Sequence, residues 1–272
     1  MFVIIRYATQ PRFRLCKDIY LDQSNKKIKE YSLSLHEKQA MAFQTKEDYL
    51  KNMYMIDEEM GIISLSELGR RLRVSIPTVN SMVKKLHHGG WVIYEKYQPV
   101  TLTDKGKREA ALIVRKHRIV EMFLVNKMNF GWEEVHDIAE QIEHVNSEIF
   151  FERMDEMLGN PSSDPHGSPI PNQNGIITPK KYMRLSDARN GSVVILRRLH
   201  SDDRDLLNYL NEKRISLHTT FIIENIEPFD KSISIRYNEG ARATLSKEVC
   251  DMLLVEAASS RDIPLPGEAR TR

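Results

Sequence analysis

Two imidazoles and two carboxylates stand at His136, Glu140, Glu143 and His144 in the stretch HDIAEQIEHVNSE. The spacing i, i+4, i+7, i+8 puts all four on one face of a helix. Imidazole nitrogen and carboxylate oxygen are donors for a divalent cation, although a plain solvated face uses the same residues. Further donors occur at His117 and Glu121, an i, i+4 pair in RKHRIVEMF, and at Asp48 in an earlier helical stretch. Each has an ordinary alternative taken singly. Asp48 suits the positive end of a helix dipole, and His117 sits among Arg115, Lys116 and Arg118 as one more basic group. Together, on three helices, the seven could complete one or two six-coordinate sites. The set holds no thiolate, which favours Mn(II) or Fe(II) over a structural zinc.

The elements that must carry these residues follow from pattern. TKEDYLKNMYMIDEEMG predicts a helix with Thr45 as N-cap, Gly61 as stop, and Tyr49, Met53 and Ile56 inward. Ser64 or Ser66 caps a short helix through Arg73. Ser75 caps a second one to about His88, with Pro77 in its first turn. Ile76, Val79, Val83 and Leu86 of that helix face inward. Trp91–Glu95 and Val100–Leu102 alternate as a wing hairpin around Tyr97–Pro99. Long helices are expected from about Thr103 to Asn126 and from Glu133 to Leu158. In the second of these, Ile138, Ile142, Val145 and Ile149 form a stripe roughly opposite the polar one, at about 3.6 residues per turn. With Phe150 it is apolar enough for a helix–helix dimer contact.

GNPSSDPHGSPIPNQNG is too rich in Pro, Gly, Ser and Asn for a regular element and marks a domain boundary. Short β-rich runs follow, interrupted by the helical DRDLLNYLNEKR, as in a small β-barrel. The fold class expected is mainly α with a small β domain. Residues 1–44 form an extension, mobile or locally ordered, with Met41 as a candidate alternative start. Residues 45–108 form a winged helix-turn-helix, 109–160 the metal-binding and dimerisation helices, and 161–182 a linker. Residues 183–257 form the β domain and 258–272 a tail.

Charge is distributed in blocks. The net value is only +2 over 272 residues, yet 64–118 hold twelve Lys/Arg against four Asp/Glu, and 119–160 hold two against ten. A basic segment facing a polyanion, followed by an acidic one holding cations, accounts for this. Short polar groups on the second helix suit the major groove, and lysines suit phosphate. Ser75, Thr78, Asn80 and Ser81 are therefore assigned to base edges, and Pro77 to thymine methyls. Lys84, Lys85 and Lys96 are assigned to the backbone. Cys16 and Cys250 are too few and too far apart for a disulfide framework or a thiolate zinc site. No apolar run approaches the roughly 20 residues of a membrane span, and a cytoplasmic location is expected.

EDYLKNMYMI, SIPTVNSMVKKL, LTDKGK, RKHRIVEMF, VHDIAEQIEHVNSE and DPHGSPIPN together resemble the diphtheria-toxin-repressor family of metal-dependent regulators, in particular its manganese-responsive members. The C-terminal part resembles the SH3-like domain of the longer members. The resemblance implies one site from Asp48, Glu140, Glu143 and His144. It implies another from His117, Glu121 and His136, completed from the SH3-like domain, with Asp203 as the positional choice. The two-domain manganese regulators carry a glutamate where this chain has Lys51. The expected function is thus a homodimeric repressor of metal-homeostasis genes, activated by Mn(II) first and Fe(II) second, on a palindromic duplex operator. A winged-helix regulator of an organic ligand is the alternative. A metallohydrolase is disfavoured because Glu140 stands where EQIEH would need a histidine.

Overall fold

The computed structural model describes residues 19–21, 28–30, 35–178 and 180–258. The chain divides into two compact units, meeting between Asp48 and Tyr49. Expectations for the first eighteen residues and for 259–272 lie outside the described residues. In the first unit, β1 (Ile19–Leu21) pairs antiparallel with β2 (Ile28–Glu30), and helix α1 (Leu35–Met60) begins.

This corrects the expected start at Thr45. The helix is already ten residues long there, and the Thr45 hydroxyl donates to the Met41 carbonyl, 2.8 Å away. An interior threonine bonding back four residues carries the same residue type as an N-cap, so composition did not separate the two. The last ten residues of the expected extension are helical. Gly61 ends α1 as predicted, in the left-handed conformation at φ +69° that favours glycine.

In the second unit, α2 (Leu65–Leu72) is capped by Ser64, whose hydroxyl accepts from the Glu67 amide. Arg73, left-handed at φ 53°, turns the chain into α3 (Ile76–His88), capped by Ser75. Val79, Val83 and Leu86 are buried, whereas Ile76 is 46% exposed and does not face inward as expected. It is the first helical residue, and the apolar stripe begins one turn later. The wing is short, pairing β3 (Val92–Ile93) with β4 (Thr101–Leu102). One core joins these parts: Leu50, Met53 and Ile56 from α1, Leu68, Val79, Val83, Leu86, Val92, Leu102, and Ala110 and Ile113 from α4 (Asp104–Met128).

The helix expected over 133–158 is two helices, α5 (His136–Ile142) and α6 (Glu148–Leu158). His144-Val145-Asn146-Ser147 breaks it, because a β-branched residue, Asn and Ser are poor helix formers and the polar pair competes for backbone bonds. Ser147 is extended, with φ −147° and ψ 101°. The break divides the apolar stripe. Ile138 and Ile142 pack, partly buried, on Val120, Leu124, Ala139 and Phe151. Val145, Ile149 and Phe150 stay exposed beyond the break.

Past an irregular segment, β5 (Met183–Arg184), β6 (Val193–Leu199), β7 (Thr220–Ile226), β8 (Ile233–Tyr237), β9 (Ala241–Leu245) and β10 (Leu253–Ala257) form one antiparallel sheet. Its order is β5-β10-β6-β7-β8-β9. Helix α7 (Arg204–Glu212) and helix α8 (Lys247–Met252) close over a core centred on Phe221, Leu196, Leu207 and Leu210. The architecture is mainly helical with a small SH3-like sheet domain. No helix among the described residues is long and apolar enough to cross a membrane.

Candidate metal centre and nucleic-acid interface

The i, i+4 pair on α4 sits at the middle of the polar cluster. His117 and Glu121 are buried, and His117 Nε2 lies 3.1 Å from Glu121 Oε1. His136, at the start of α5, approaches the same carboxylate: Nδ1 is 3.6 Å from Glu121 Oε1. Ligand atoms of His117, Glu121 and His136 all fall within 4.8 Å of one another. The sheet domain contributes Asp202, whose Oδ2 is 3.2 Å from His136 Nδ1.

Asp203, the residue expected in this place, is instead the N-cap of α7. Its carboxylate accepts from the Asp205 and Leu206 amides at 2.9 and 3.2 Å. Capping needs the aspartate adjacent to the first helical residue, which leaves the preceding one to reach His136.

Besides Asp202, two residues of this cluster were missed by sequence reasoning. Asp164 and His166, in the irregular segment, are buried and join Glu121 in a second group whose ligand atoms lie within 4.8 Å of one another. His166 Nε2 bonds the Trp132 carbonyl at 2.9 Å, and its ring stacks on Trp132. The only sequence signal was an Asp and a His two apart inside a Pro-rich run.

At the far end of α5, Glu143 is fully buried. Its Oε2 is 2.5 Å from His117 Nδ1, and its Oε1 is 2.6 Å from the Lys51 ammonium. His144 Nε2 lies 3.7 Å from Glu143 Oε1. Glu140 is half-exposed, 3.6 Å from His136 and 3.8 Å from Lys51. Glu143 is the C-cap of α5 and His144 follows it, so these donors converge at a helix end as well as along a face. Asp48 ends the first unit on α1, one turn before Lys51 and half-buried.

The electrostatics are those of a site that holds charge. Burial alone would lower the His136 pKa, but the adjacent carboxylates of Asp202, Glu121 and Glu140 outweigh it and push it up to about 12. Burial would raise Glu121, yet His117 and His136 hold it well below the carboxylate range. Glu143 is likewise lowered against its burial by Lys51 and His117. Asp164 moves the other way, raised by burial and by the neighbouring Glu121 charge. His136 Nδ1 is buried between two carboxylates without a well-aligned hydrogen bond to either. A ring nitrogen so placed, among hard oxygen and imidazole donors, fits a divalent cation of the manganese or ferrous type.

Glycine is required where the irregular segment meets the sheet. Gly167 has φ +86°, and a Cβ there would lie 2.2 Å from the Arg197 carbonyl oxygen. Next to it, the Leu199 amide bonds the His166 carbonyl at 2.9 Å. Gly167→Ala is therefore expected to destabilise the protein by about 1–3 kcal/mol, through strain and overpacking. A thermal melt checks this, and an unchanged melting temperature would contradict the close approach.

The nucleic-acid candidates divide by position. Ser75, Pro77, Thr78, Ser81, Lys84 and Lys85 are exposed on α3, and Lys96 is exposed on the wing. Asn80 is half-buried, and its Oδ1 accepts from the Tyr94 hydroxyl at 2.7 Å, so the wing fixes it. Ser75 caps α3 and also meets the Thr78 hydroxyl at 2.9 Å.

Comparison with known proteins fits this arrangement. Residues 41–100 match the N-terminal DNA binding domain of iron dependent repressors, and 103–172 match their metal binding and dimerisation domain. Residues 183–257 match the FeoA domain. The iron-dependent repressor IdeR of Mycobacterium leprae is 32% identical over 225 residues, covering 78% of this chain and 96% of that protein. The chain belongs to the diphtheria-toxin-repressor family. Within that family, the diphtheria toxin repressor of Corynebacterium diphtheriae is 34% identical over 128 residues, 47% of this chain and 56% of the relative. A manganese-dependent transcriptional repressor solved in complex with manganese superposes with a TM-score of 0.72 at 33% identity, covering 78% of this chain and all of that one.

Proposed function

We propose that this chain is a homodimeric transcriptional repressor switched on by Mn(II), with Fe(II) as second choice, acting in the cytoplasm on a palindromic operator in metal-homeostasis genes. The observation that carries the reading is the convergence of His117, Glu121 and His136, from two helices, on Asp202 of the sheet domain and on His166 and Asp164 between them. A surface helix with a solvated polar face would not bury Glu121 and His117 together.

His117, Glu121 and His136, with Asp202, Asp164 and His166 around them, form one proposed site. Glu140, Glu143 and His144 would hold the other, to which the sequence resemblance also assigns Asp48. A bound divalent cation would add positive charge among these carboxylates and take the imidazole nitrogens as ligands. This chain's residues do the rest. Glu143 and His117 join α5 to α4, and α1 and α4 share the core that supports α3. Firm docking of these helices fixes the reading helix, and a dimer then presents two such helices at one separation, which a palindrome matches. Coupling of about 1–3 kcal/mol would change DNA occupancy roughly 5- to 150-fold. Residues 45–108 would read DNA, 109–160 would bind metal and dimerise, and 183–257 would supply Asp202. The exposed Val145, Ile149 and Phe150 remain available for the dimer contact, while Ile138 and Ile142 are engaged within the chain.

The test is binding to a fluorescent duplex carrying the protein's own promoter, at fixed salt, with Mn(II), anaerobic Fe(II), Zn(II) or EDTA. Tight binding with Mn(II) that EDTA reverses is expected. Equal binding in all conditions would favour the organic-ligand regulator. Uptake should also follow pH. Because His136 is held protonated in the metal-free protein, its proton must leave when the nitrogen becomes a ligand. Apparent Mn(II) affinity should therefore rise from pH 6 to 8, roughly tenfold per pH unit for each proton released. Calorimetry in two buffers of different ionisation heat counts the protons, and a count of zero would remove His136 from the site.

A further inference from the structure

Lys51 is 4% exposed, an unusual place for a lysine. Its ammonium lies 2.6 Å from Glu143 Oε1 and 3.8 Å from Glu140 Oε1. Glu143 has no exposure at all, and its other oxygen is engaged by His117. Burying an ammonium is costly unless it is paired, and here the pair involves two carboxylates read above as cation donors. We propose that Lys51 is the resident counter-cation of the Glu140–Glu143 end of the centre, and that it sets the metal concentration at which the switch responds.

The inference rests on the metal-responsive reading. With an ammonium 2.6 Å from Glu143, a divalent ion on the same carboxylate meets a like charge within a few ångströms. Either the lysine withdraws and gives up a buried ion pair, or it stays and repels. Both weaken metal binding. A neutral side chain of similar length has opposite effects on two measurable quantities. In the metal-free protein it leaves Glu143 with one cationic neighbour fewer, which lowers stability. In the metal-loaded protein it removes the repulsion, which tightens binding. A lysine with a purely structural role would lower stability without tightening metal binding.

The experiment uses metal-stripped full-length protein as wild type, Lys51→Met, Lys51→Gln and Lys51→Arg, titrated with Mn(II) in a calorimeter and melted with and without Mn(II). Both neutral variants are expected to melt lower when metal-free and to bind Mn(II) about tenfold or more tighter. Lys51→Arg, which keeps the charge, should stay near wild type. Should Lys51→Met fail to fold without metal, Lys51→Gln, which can still hydrogen-bond Glu143, carries the comparison. Neutral variants that bind Mn(II) no tighter than wild type overturn this inference alone. Wild-type protein that takes up no Mn(II) overturns both it and the reading on which it rests.

Discussion

Glu121→Ala should abolish the Mn(II) response of DNA binding and weaken Mn(II) uptake by about a hundredfold or more. Loss of even an outer-shell partner costs roughly 10- to 100-fold, and Glu121 is central to the cluster. It is 2% exposed, and its oxygens lie 3.1 Å from His117, 3.6 Å from His136 and 3.9 Å from His166. Alanine removes the one carboxylate that all three imidazoles approach. Glu121→Gln serves as the control for shape, because it fills the same space without the charge. Operator titrations with Mn(II) and with EDTA decide the matter. A variant that still responds to Mn(II) as wild type does would remove the α4 pair from the switch.

The second large effect belongs to α3. Lys84 and Lys85 are exposed and lie outside the core. Replacing both with alanine should leave the melting temperature unchanged within error. If each neutralises one phosphate, the slope of log affinity against log salt should become shallower by about 1.8, with affinity at fixed salt down roughly tenfold or more. The loss should be the same on operator and on unrelated duplex, since phosphate contacts carry no base information. An unchanged slope would move the DNA-facing surface elsewhere. A loss confined to the operator would assign these lysines to base edges.

Periodicity made most of the fold legible. The caps at Ser64 and Ser75, the proline in the first turn of α3 and the stop at Gly61 all use local chemistry that acts in any context. The failures share a cause. His117, Glu121 and His136 were legible because each donor stands on a helix, whereas Asp164 and His166 stand where no period exists to give them a face. Asp202 and Asp203 are chemically equivalent until a helix begins between them and their neighbours. Four residues with poor helix propensity, 144–147, were overridden in the reading by the apolar stripe on either side. Ile138 and Ile142, before the break, pack against the core of α4 and α6.

The segment between the helical and sheet regions is dense in proline and glycine, yet two arginines of α4 hold its backbone. Arg115 donates to the Pro171 carbonyl and Arg118 to the Pro169 carbonyl, both at 2.6 Å. Asp164 takes the amides of His166 and Ser168 at 2.9 and 2.8 Å. Composition alone would make this stretch a flexible tether, with the sheet domain sampling a broad volume and Asp202 arriving at a millimolar effective concentration. Stapled in this way it behaves as a bracket. Asp202 is presented to His136 with little search and little ordering entropy still to lose. Distances between spin labels on α6 and β8 should accordingly be narrowly distributed, and should broaden once Arg115 and Arg118 are both removed.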